Sequence, residues 1–321
     1  MGRGSGFGKV ILFGEHFVVQ GVPGIVSAID STVDAEVKKT GAGITVTDER
    51  KGATGYTQKK KAQQEESIER MLRMMGINTK RTVLDIWLGG NLPGFSGIGA
   101  SAASSVAIAR AIAEEFKMDL PDAKINEIAY EAEKAYAGTP SGIDNTSATY
   151  GGMIWFKRNL SGVSDTIEKL SIRKPVEIII GNTGIVADTK EMVAGVAVRK
   201  KRNPEKYSLF FKQAEDLAYT AKKSLREFDL RKVGNLMNEN HRLLQEIEVS
   251  CKELDHLVNL AREQGAFGAK LTGGGGGGCM VALTPGKELQ EPIAAAMEKE
   301  GFKVLRTKIG IQKYEGKNEP T

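Results

Sequence analysis

The feature that most constrains the fold is a glycine-rich segment, residues 89–99, that runs directly into a strong helical pattern. Helices and strands do not tolerate glycine at this density, so the segment must be a loop. Apolar residues then follow at helical spacing from Ala100 through Ile108 and Ile112 to Phe116. A glycine loop that opens a helix lets backbone N–H groups approach an anion, and the helix dipole adds to the attraction. The segment therefore indicates either a phosphate-binding loop or an ordinary tight turn before a buried helix.

This loop differs from two common nucleotide-binding motifs. No Gly-Lys-Ser/Thr follows it, as a Walker loop requires, and no βαβ unit with an acidic ribose partner accompanies it, as a dinucleotide fingerprint requires. Ser101 lies in the first turn of the predicted helix, where its hydroxyl is well placed to reach a phosphate or Mg²⁺. That hydroxyl favours the anion-binding interpretation of the loop.

Two carboxylates flank a Pro-Ser-Gly corner in the next part of the chain. Glu133 lies in a predicted helix over residues 123–137, and Asp144 follows eleven residues later, after the corner at 140–142. Mg²⁺ takes one or two carboxylates together with phosphate oxygens and water. A hydroxyl that accepts a phosphoryl group benefits from a carboxylate that receives its proton. Two separated acids can divide these tasks, although a solvated helix residue and a turn cap are the simpler interpretation of either acid alone.

A second glycine run, Gly273–Gly278, lies between strand-like flanks. Six consecutive glycines cost much backbone entropy on folding, so a purely structural role explains them poorly. Close approach of this backbone to a ligand, or to the first glycine loop, explains them better. Cys279 follows the run and is expected to be a buried packing residue, because no base lies near it in the sequence.

Lys9 begins the first predicted strand, and Glu15 and His16 follow shortly after its end. A lysine at a strand start is ordinarily solvated, and a lone histidine is more often structural than catalytic. The other histidines, His241 and His256, lie in polar helical stretches, and we assign them no role.

Composition and charge indicate a soluble globular protein. The hydrophobic fraction is 40%, the charged fraction 26% and the formal charge +5, with basic residues dispersed among 40 acidic ones. The densest basic run, Lys59–Lys61, is expected to be a solvated loop, so small anions suit the chain better than nucleic acid. Cys251 and Cys279 show neither disulfide nor zinc spacing, which indicates a cytoplasmic setting. The N-terminal residues are not expected to form a signal peptide, and the sequence shows no apolar run long enough to span a membrane.

The order of patterns along the chain predicts an α+β protein with a domain boundary between residues 155 and 178. Residues 40–64 have weak periodicity and are expected to form a short hairpin and a mobile loop. Strands are predicted at 9–13, 29–37, 82–88, 153–156, 176–180, 270–271 and 279–283, and helices at 68–75, 100–116, 123–137, 206–225, 236–247 and 254–261.

These motifs, in this order, resemble the GHMP kinase family, which includes galactokinases and homoserine, mevalonate and phosphomevalonate kinases. The segments that carry the resemblance are Gly8–His16, Pro93–Ala103 and Lys270–Cys279, which together span nearly the whole chain. Three further segments are similar to those of the family members that phosphorylate mevalonate, namely Gly14–Gly21, Thr139–Asn145 and Thr189–Val196.

The resemblance implies a fold and an activity. The expected fold is α+β, with a ribosomal-S5-like domain over residues 1–165, a ferredoxin-like α/β domain over residues 166–321 and the active site between them. The expected activity is Mg²⁺-dependent transfer of the γ-phosphate of ATP onto mevalonate, in isoprenoid biosynthesis, by a cytoplasmic homodimer without nucleic-acid or membrane partners. The alternatives are a kinase of the same family acting on phosphomevalonate, homoserine or a sugar, and a non-catalytic binding module. Such a module would be expected to lose Lys9, Glu133 or Asp144, and all three are present.

The resemblance also implies roles for individual residues, by their positions in the matching motifs. Asp144 is the catalytic carboxylate that faces the acceptor hydroxyl, with Lys9 beside it, and Ser101 and Glu133 hold Mg²⁺. The residues implied to bind the phosphates of ATP are Pro93, Gly97, Ile98, Gly99, Ala100, Ser101 and Ala102. The residues implied to bind or border the acceptor are Glu15, His16, Thr189 and Gly275.

The sequence departs from the family pattern at three places. The opening motif reads Gly6-Phe7-Gly8-Lys9 where the family usually has Ala-Pro-Gly-Lys. Ala100 replaces a common serine of the phosphate loop, and Gly274 replaces a common alanine of the third motif. None of these changes removes a residue with an implied catalytic role.

Overall fold

The computed structural model describes residues 1–40, 43–50, 53–79, 81–95, 97–138, 140–161 and 165–311, and for residues 53–60 it describes the backbone alone. The strands in these ranges are β1 Gly2–Phe13, β2 Gly24–Lys38, β3 Ile44–Asp48, β4 Leu84–Gly90, β5 Met153–Lys157, β6 Thr166–Leu170, β7 Val176–Asn182, β8 Gly268–Thr272, β9 Cys279–Leu283 and β10 Lys303–Ile309. The α-helices are α1 Ala53–Met74, α2 Ala100–Glu115, α3 Asp122–Ala137, α4 Ile143–Tyr150, α5 Thr189–Arg202, α6 Pro204–Glu227, α7 Leu230–Glu246, α8 Lys252–Glu263 and α9 Lys287–Lys299.

All of the described strands belong to one mixed sheet. Its main path runs β3-β4-β2-β10-β7-β9-β8, while β1 and β5 pair with β2, and β6 pairs with β5. The β3–β4 pair is parallel, and the other pairs are antiparallel. Strands β2 and β10 meet at a single residue pair, Ile29 with Ile309, and this pair joins the N-terminal strands to the C-terminal ones.

Strand β1 lies directly against helix α2 because alternate residues at its start are glycine. A Cβ atom added at Gly4 would lie 2.2 Å from the carbonyl oxygen of Ala107, and one at Gly6 would lie 2.2 Å from that of Ala103. Any side chain at these positions would push the helix away from the strand. Gly4 and Gly6 therefore fix the position of α2, and of the glycine loop that precedes it, relative to Lys9.

Two main clusters of buried apolar side chains pack against the sheet, and the larger one also includes residues of the C-terminal strands β7, β9 and β10. The larger one contains residues of β1, β2 and β4 together with α1, α2 and α3, and it continues into α6 and α7 through Ala218 and Met237. The second packs α5–α9 against β7, β8 and β9. Phe17, which follows β1, belongs to the second cluster and meets Phe211 edge to face at 5.1 Å between ring centroids. The segment that follows β1 is thus packed into the C-terminal half.

The predicted hairpin and loop over residues 40–64 are wrong. Strand β3 pairs in parallel with β4, with Ile44 opposite Leu84, and a parallel pair needs a crossover element between its strands. Helix α1 is that element, and its backbone is already helical at Ala53. The basic run Lys59–Lys61 therefore lies on a helix rather than in a loop, and Lys61 is exposed as expected.

The remaining predicted strands and helices are confirmed, and several elements carried no clear signal. These are β6, α4, α5, α9 and β10. Among the helices of the described ranges, none has the length and apolar character that a membrane crossing needs.

Candidate active site

Lys9 and Asp144 form an ion pair at the end of the α2–β1 contact. The pairing register between β1 and β2 shifts between Phe7 and Lys9, and such a bulge turns a side chain away from the regular ladder. The Lys9 backbone N–H donates to the carbonyl of Ile98 (2.9 Å), and its Nζ lies 3.1 Å from Asp144 Oδ1. The Lys9 side chain is 3% exposed and that of Asp144 is 37% exposed. Its place at a strand start alone suggested that Lys9 is solvated. In the structure Lys9 is buried, and the Asp144 carboxylate that pairs with it is partly exposed to solvent.

Asp144 owes its position to helix α4, in which it is the second residue. The helix begins after Gly142, whose φ of 86° turns the chain out of the corner that follows α3. A carboxylate in the first turn of a helix is stabilised by the positive end of the helix dipole. Asp144 is therefore held by a helix start and by Lys9 together.

The first glycine loop lies against Lys9. Gly99 is the N-cap of α2 at φ 72°, and a Cβ atom there would lie 2.7 Å from Lys9 Cγ. The first main-chain bond of the helix runs from the N–H of Ala103 to the carbonyl of Gly99 (2.9 Å). The N–H groups of Ala100, Ser101 and Ala102 therefore precede the intrahelical ladder and can bind an anion.

The other predicted residues of this loop lie nearby. Pro93 is buried and accepts a hydrogen bond from the N–H of Phe95 (2.8 Å), which forms a turn ahead of the loop. The carbonyl of Gly97 accepts a long hydrogen bond from Lys9 Nζ (3.5 Å). A Cβ atom at Gly273 would lie 2.8 Å from Gly97 Cα, so the two glycine segments touch backbone to backbone. The predicted close approach of the second glycine run to the first loop is confirmed.

Ser101 and Glu133 face each other behind this loop. The Ser101 hydroxyl donates to Glu133 Oε2 (3.1 Å), and the hydroxyl of Ser105, which the sequence did not single out, donates to Oε1 at 3.5 Å. Glu133 is buried, and burial, followed by the charge of Asp144, raises its pKa to about 8. The interpretation of Glu133 as a solvated helix residue is therefore wrong.

The donor set around Glu133 suits Mg²⁺. A carboxylate and a hydroxyl are hard oxygen ligands, and phosphate oxygens and water complete the coordination of this ion in kinases. A bound cation would also offset the burial that raises the pKa of Glu133. Across the described residues, no three His, Cys, Asp or Glu side chains cluster as an all-protein metal site would require. The site therefore fits a metal that is held largely by its phosphate ligand.

Glu15 and His16 form the turn that follows β1, and both are buried. His16 has φ 59°, and its Nε2 lies 2.8 Å from the carbonyl oxygen of Gly274, so Nε2 carries the proton of this hydrogen bond. Burial lowers the pKa of His16, which favours the neutral ring and leaves Nδ1 as a buried acceptor without a partner. Glu15 pairs with Lys270, a residue to which the sequence gave no role.

Thr189 is the exposed first residue of helix α5, and Asp188 caps that helix by accepting from the N–H of Lys190 (2.8 Å). A Cβ atom at Gly274 would lie 2.7 Å from Thr189 Oγ1, so the missing side chain of Gly274 admits α5. Gly275 instead lies against the carbonyl of Val249, at 2.0 Å from a hypothetical Cβ. Of these two glycines, Gly274 is therefore the one beside Thr189 and His16.

His241 and Cys279 lie in structural surroundings. His241 Nδ1 accepts from the N–H of Leu271 (3.2 Å), so its Nε2 carries the proton and donates to Asp255 (3.1 Å). Burial lowers the pKa of His241 to about 4. Cys279 is fully buried, which confirms the packing role expected from the sequence.

Comparison with known proteins identifies the family. The model for the GHMP kinase N-terminal domain matches residues 65–152, and the model for the C-terminal domain matches residues 221–303. The mevalonate kinase of Pyrococcus horikoshii is 34% identical and that of Pyrococcus abyssi 35%, each over 94% of this chain and 93% of the relative. The crystal structure of L. major mevalonate kinase in complex with R-mevalonate superposes with a TM-score of 0.90, at 35% identity and over 96% of both chains. The chain therefore belongs to the GHMP kinase family and is similar, over almost its whole length, to the mevalonate kinases.

Proposed function

We propose that this protein is a kinase that transfers the γ-phosphate of ATP to mevalonate, giving 5-phosphomevalonate and ADP. The observation that carries the proposal is the Lys9–Asp144 pair at the meeting point of the two glycine segments, with His16 and Thr189 both in contact with Gly274. Similarity to mevalonate kinases, one of them solved with R-mevalonate, supports this acceptor. The proposed pathway is isoprenoid biosynthesis.

Asp144 is the proposed catalytic carboxylate. Its partly exposed side chain is free to face the acceptor hydroxyl, while Lys9 holds one of its oxygens. As the new P–O bond forms and the bond between the γ-phosphorus and the oxygen of the leaving ADP breaks, Asp144 orients the hydroxyl and receives its proton. The buried ammonium of Lys9 stabilises the negative charge that develops on the hydroxyl oxygen. Positioning and charge stabilisation carry most of the catalysis in phosphoryl transfer.

The phosphates of ATP are proposed to bind at the start of α2. The residues proposed to surround them are Pro93, Gly97, Ile98, Gly99, Ala100, Ser101 and Ala102. Ser101 and Glu133 would hold Mg²⁺, which when bound supplies positive charge to the β- and γ-phosphates. Glu133 must be ionised to hold Mg²⁺. Because its pKa is raised, binding of the metal would be coupled to release of a proton from Glu133.

The acceptor is proposed to lie between His16 and Thr189, with Glu15 and Gly275 supporting that side of the site. Mevalonate is an anion, and the start of α5 at Thr189 offers the positive end of a helix dipole. The unpaired Nδ1 of His16 is an acceptor for a hydroxyl group.

We also propose the division of the chain into a nucleotide half, residues 1–165, and an acceptor half, residues 166–321, although β6 still pairs with β5 of the first half. A cytoplasmic homodimer is part of the proposal. Both cysteines are free thiols, in keeping with a reducing compartment. Light scattering on the purified protein measures the oligomeric state.

The function is tested by measuring ADP release with Mg·ATP against mevalonate, phosphomevalonate, homoserine and galactose. Turnover on mevalonate alone is the expected result. Turnover on another compound of the panel would replace the acceptor and keep the site. If ATP binds and none of the four acceptors is phosphorylated, the protein either uses an acceptor outside the panel or is a binding module.

A further inference from the structure

A fully buried ion pair connects the two halves of the protein next to the proposed site. Lys270 lies on β8 and Glu15 in the turn after β1, 255 positions apart in the sequence, and both side chains are 0% exposed. A buried ion pair is weak evidence for stability, since apolar residues of the same size often stabilise a fold as well or better. The pair therefore calls for a functional explanation.

The ammonium group of Lys270 has three acceptors. It contacts Glu15 Oε1 and donates to the carbonyls of Leu271 (2.7 Å) and Ile11 (3.4 Å). Three N–H donors thus meet three acceptors, which fixes the ammonium in one position. The other carboxylate oxygen of Glu15, Oε2, has no hydrogen-bond partner, so Lys270 is the side chain that holds Glu15.

The residue after Glu15 is His16, and it binds the same segment of the C-terminal half. His16 Nε2 bonds to the carbonyl of Gly274, four residues after Lys270. Two adjacent residues of one turn are therefore held by two points of the 270–274 segment. His16 also has a left-handed backbone, at φ 59°, which a non-glycine residue keeps only where its surroundings hold it.

We propose that Lys270 is a positioning residue for the phosphoryl acceptor: through Glu15 it holds His16 against Gly274 and so fixes the acceptor side of the site relative to Lys9. The inference rests on the proposed function and adds to it a residue that does not itself touch the substrate.

The charge of Lys270, and not only its volume, is part of this role. Burial raises the pKa of Glu15, and the charge of Lys270 from β8, followed by that of Lys9 from β1, opposes the rise. The charged group that faces His16 from α5 is Arg199. Without Lys270, the buried Glu15 carboxyl retains Lys9 as its cationic neighbour and is more readily protonated.

The test is steady-state kinetics of Lys270→Met between pH 6 and 9, with mevalonate and Mg·ATP varied separately. The KM for mevalonate is expected to rise about tenfold or more, because small displacements of positioning groups have effects of this order. The KM for Mg·ATP should change less than about threefold, since the phosphate loop is not held by Lys270. In Lys270→Met, the pH profile of kcat/KM for mevalonate should also show the ionisation of Glu15, with activity rising as pH rises. The double variant Lys270→Met/Glu15→Gln should not show this pH dependence.

Arg262→Met is the matched control. Arg262 donates to the carbonyl of Ala269 (2.8 Å), so this variant removes a cation that is bound to the same strand and leaves Glu15 untouched. It should lower the melting temperature without separating the two KM values. A folded Lys270→Met with wild-type KM values and pH profile overturns the inference.

Lys270→Arg covers the case in which the methionine variant does not fold. It keeps the charge but cannot place one ammonium among three acceptors. A raised acceptor KM at unchanged ATP KM supports the inference, and two unchanged values overturn it.

If the wild type uses another compound of the panel, the same comparison is made with that compound, so failure of the mevalonate assignment is distinguished from failure of the inference about Lys270. A wild type that phosphorylates none of them overturns both proposals.

Discussion

Replacement of Glu133 by glutamine tests the electrostatics of the site without any activity measurement. The pKa of Glu133 is raised from 4.5 to about 8, first by burial and then by the charge of Asp144. In the unfolded chain the carboxyl titrates at its ordinary value. Between these two pH values the folded protein therefore retains a proton that the unfolded chain has released. Stability must fall as pH rises through this range and level off above it.

The size of the effect follows from the two pKa values. A difference between 4.5 and about 8 corresponds to about 5 kcal/mol, at 1.36 kcal/mol for each pH unit. Glutamine has the same shape, keeps an acceptor for the hydroxyl of Ser101 and is neutral at every pH. Glu133→Gln should therefore unfold at higher urea than the wild type at pH 9, with a gain approaching about 5 kcal/mol, and differ little from it at pH 5.

Urea unfolding followed by circular dichroism, in buffer with a chelator and without nucleotide, measures this difference. Glu69→Gln on α1 is the control, because that side chain is 56% exposed and should respond little at either pH. A stability gain for Glu133→Gln that is equal at pH 5 and pH 9 would refute the reasoning, since the burial cost would then not depend on ionisation.

Three further substitutions test individual contacts. Asp144→Asn should lower kcat by about 10²-fold or more with little change in ATP affinity by calorimetry, and a near-normal kcat would remove its catalytic assignment. Gly274→Ala places a Cβ atom 2.7 Å from Thr189 Oγ1, so the KM for mevalonate should rise several-fold. This rise in KM should be smaller in a Thr189→Ala background, and equal rises in both backgrounds would contradict the contact. Gly99→Ala forces a φ of 72° on alanine and brings its Cβ atom within 2.7 Å of Lys9 Cγ. Thermal unfolding should therefore show a free energy of unfolding lower by about 1–3 kcal/mol, and a stability equal to the wild type would contradict the close packing of the loop.

The parts of the site that the sequence predicts are those with local signals. The glycine segment and the apolar spacing after it locate the phosphate loop and α2, because both features belong to one continuous stretch of chain. The glycine run at 273–278 could be predicted to approach a second backbone because six glycines lack another explanation. The family motifs then supply the roles that we propose for Asp144 and Glu133.

The parts that it does not predict depend on contacts between distant segments. Lys9 is buried because a strand bulge and Asp144 surround its side chain, and neither is visible at Lys9 itself. Lys270 lies between two apolar residues of a buried strand. This pattern predicts that the lysine is paired with an acidic residue, because a buried charge needs a partner. The sequence does not say that the partner is Glu15. The start of α1 was missed because the apolar pattern of this helix becomes regular only from Ile68.

The hydrogen bonds between β1 and β8 lead us to expect a particular order of events when this chain folds. The N–H of Ile11 donates to the hydroxyl oxygen of Thr272 (3.0 Å), and that hydroxyl donates to the carbonyl of Ile11 (3.2 Å). The two residues are 261 positions apart in the sequence. Contacts at such separation form late, because the loop between them must be closed before they stabilise anything. Helices α2–α4 can therefore assemble on β1 and β2 well before the C-terminal half has closed over them. In a refolding experiment, recovery of phosphoryl transfer should be the last event, after the helical signal has returned.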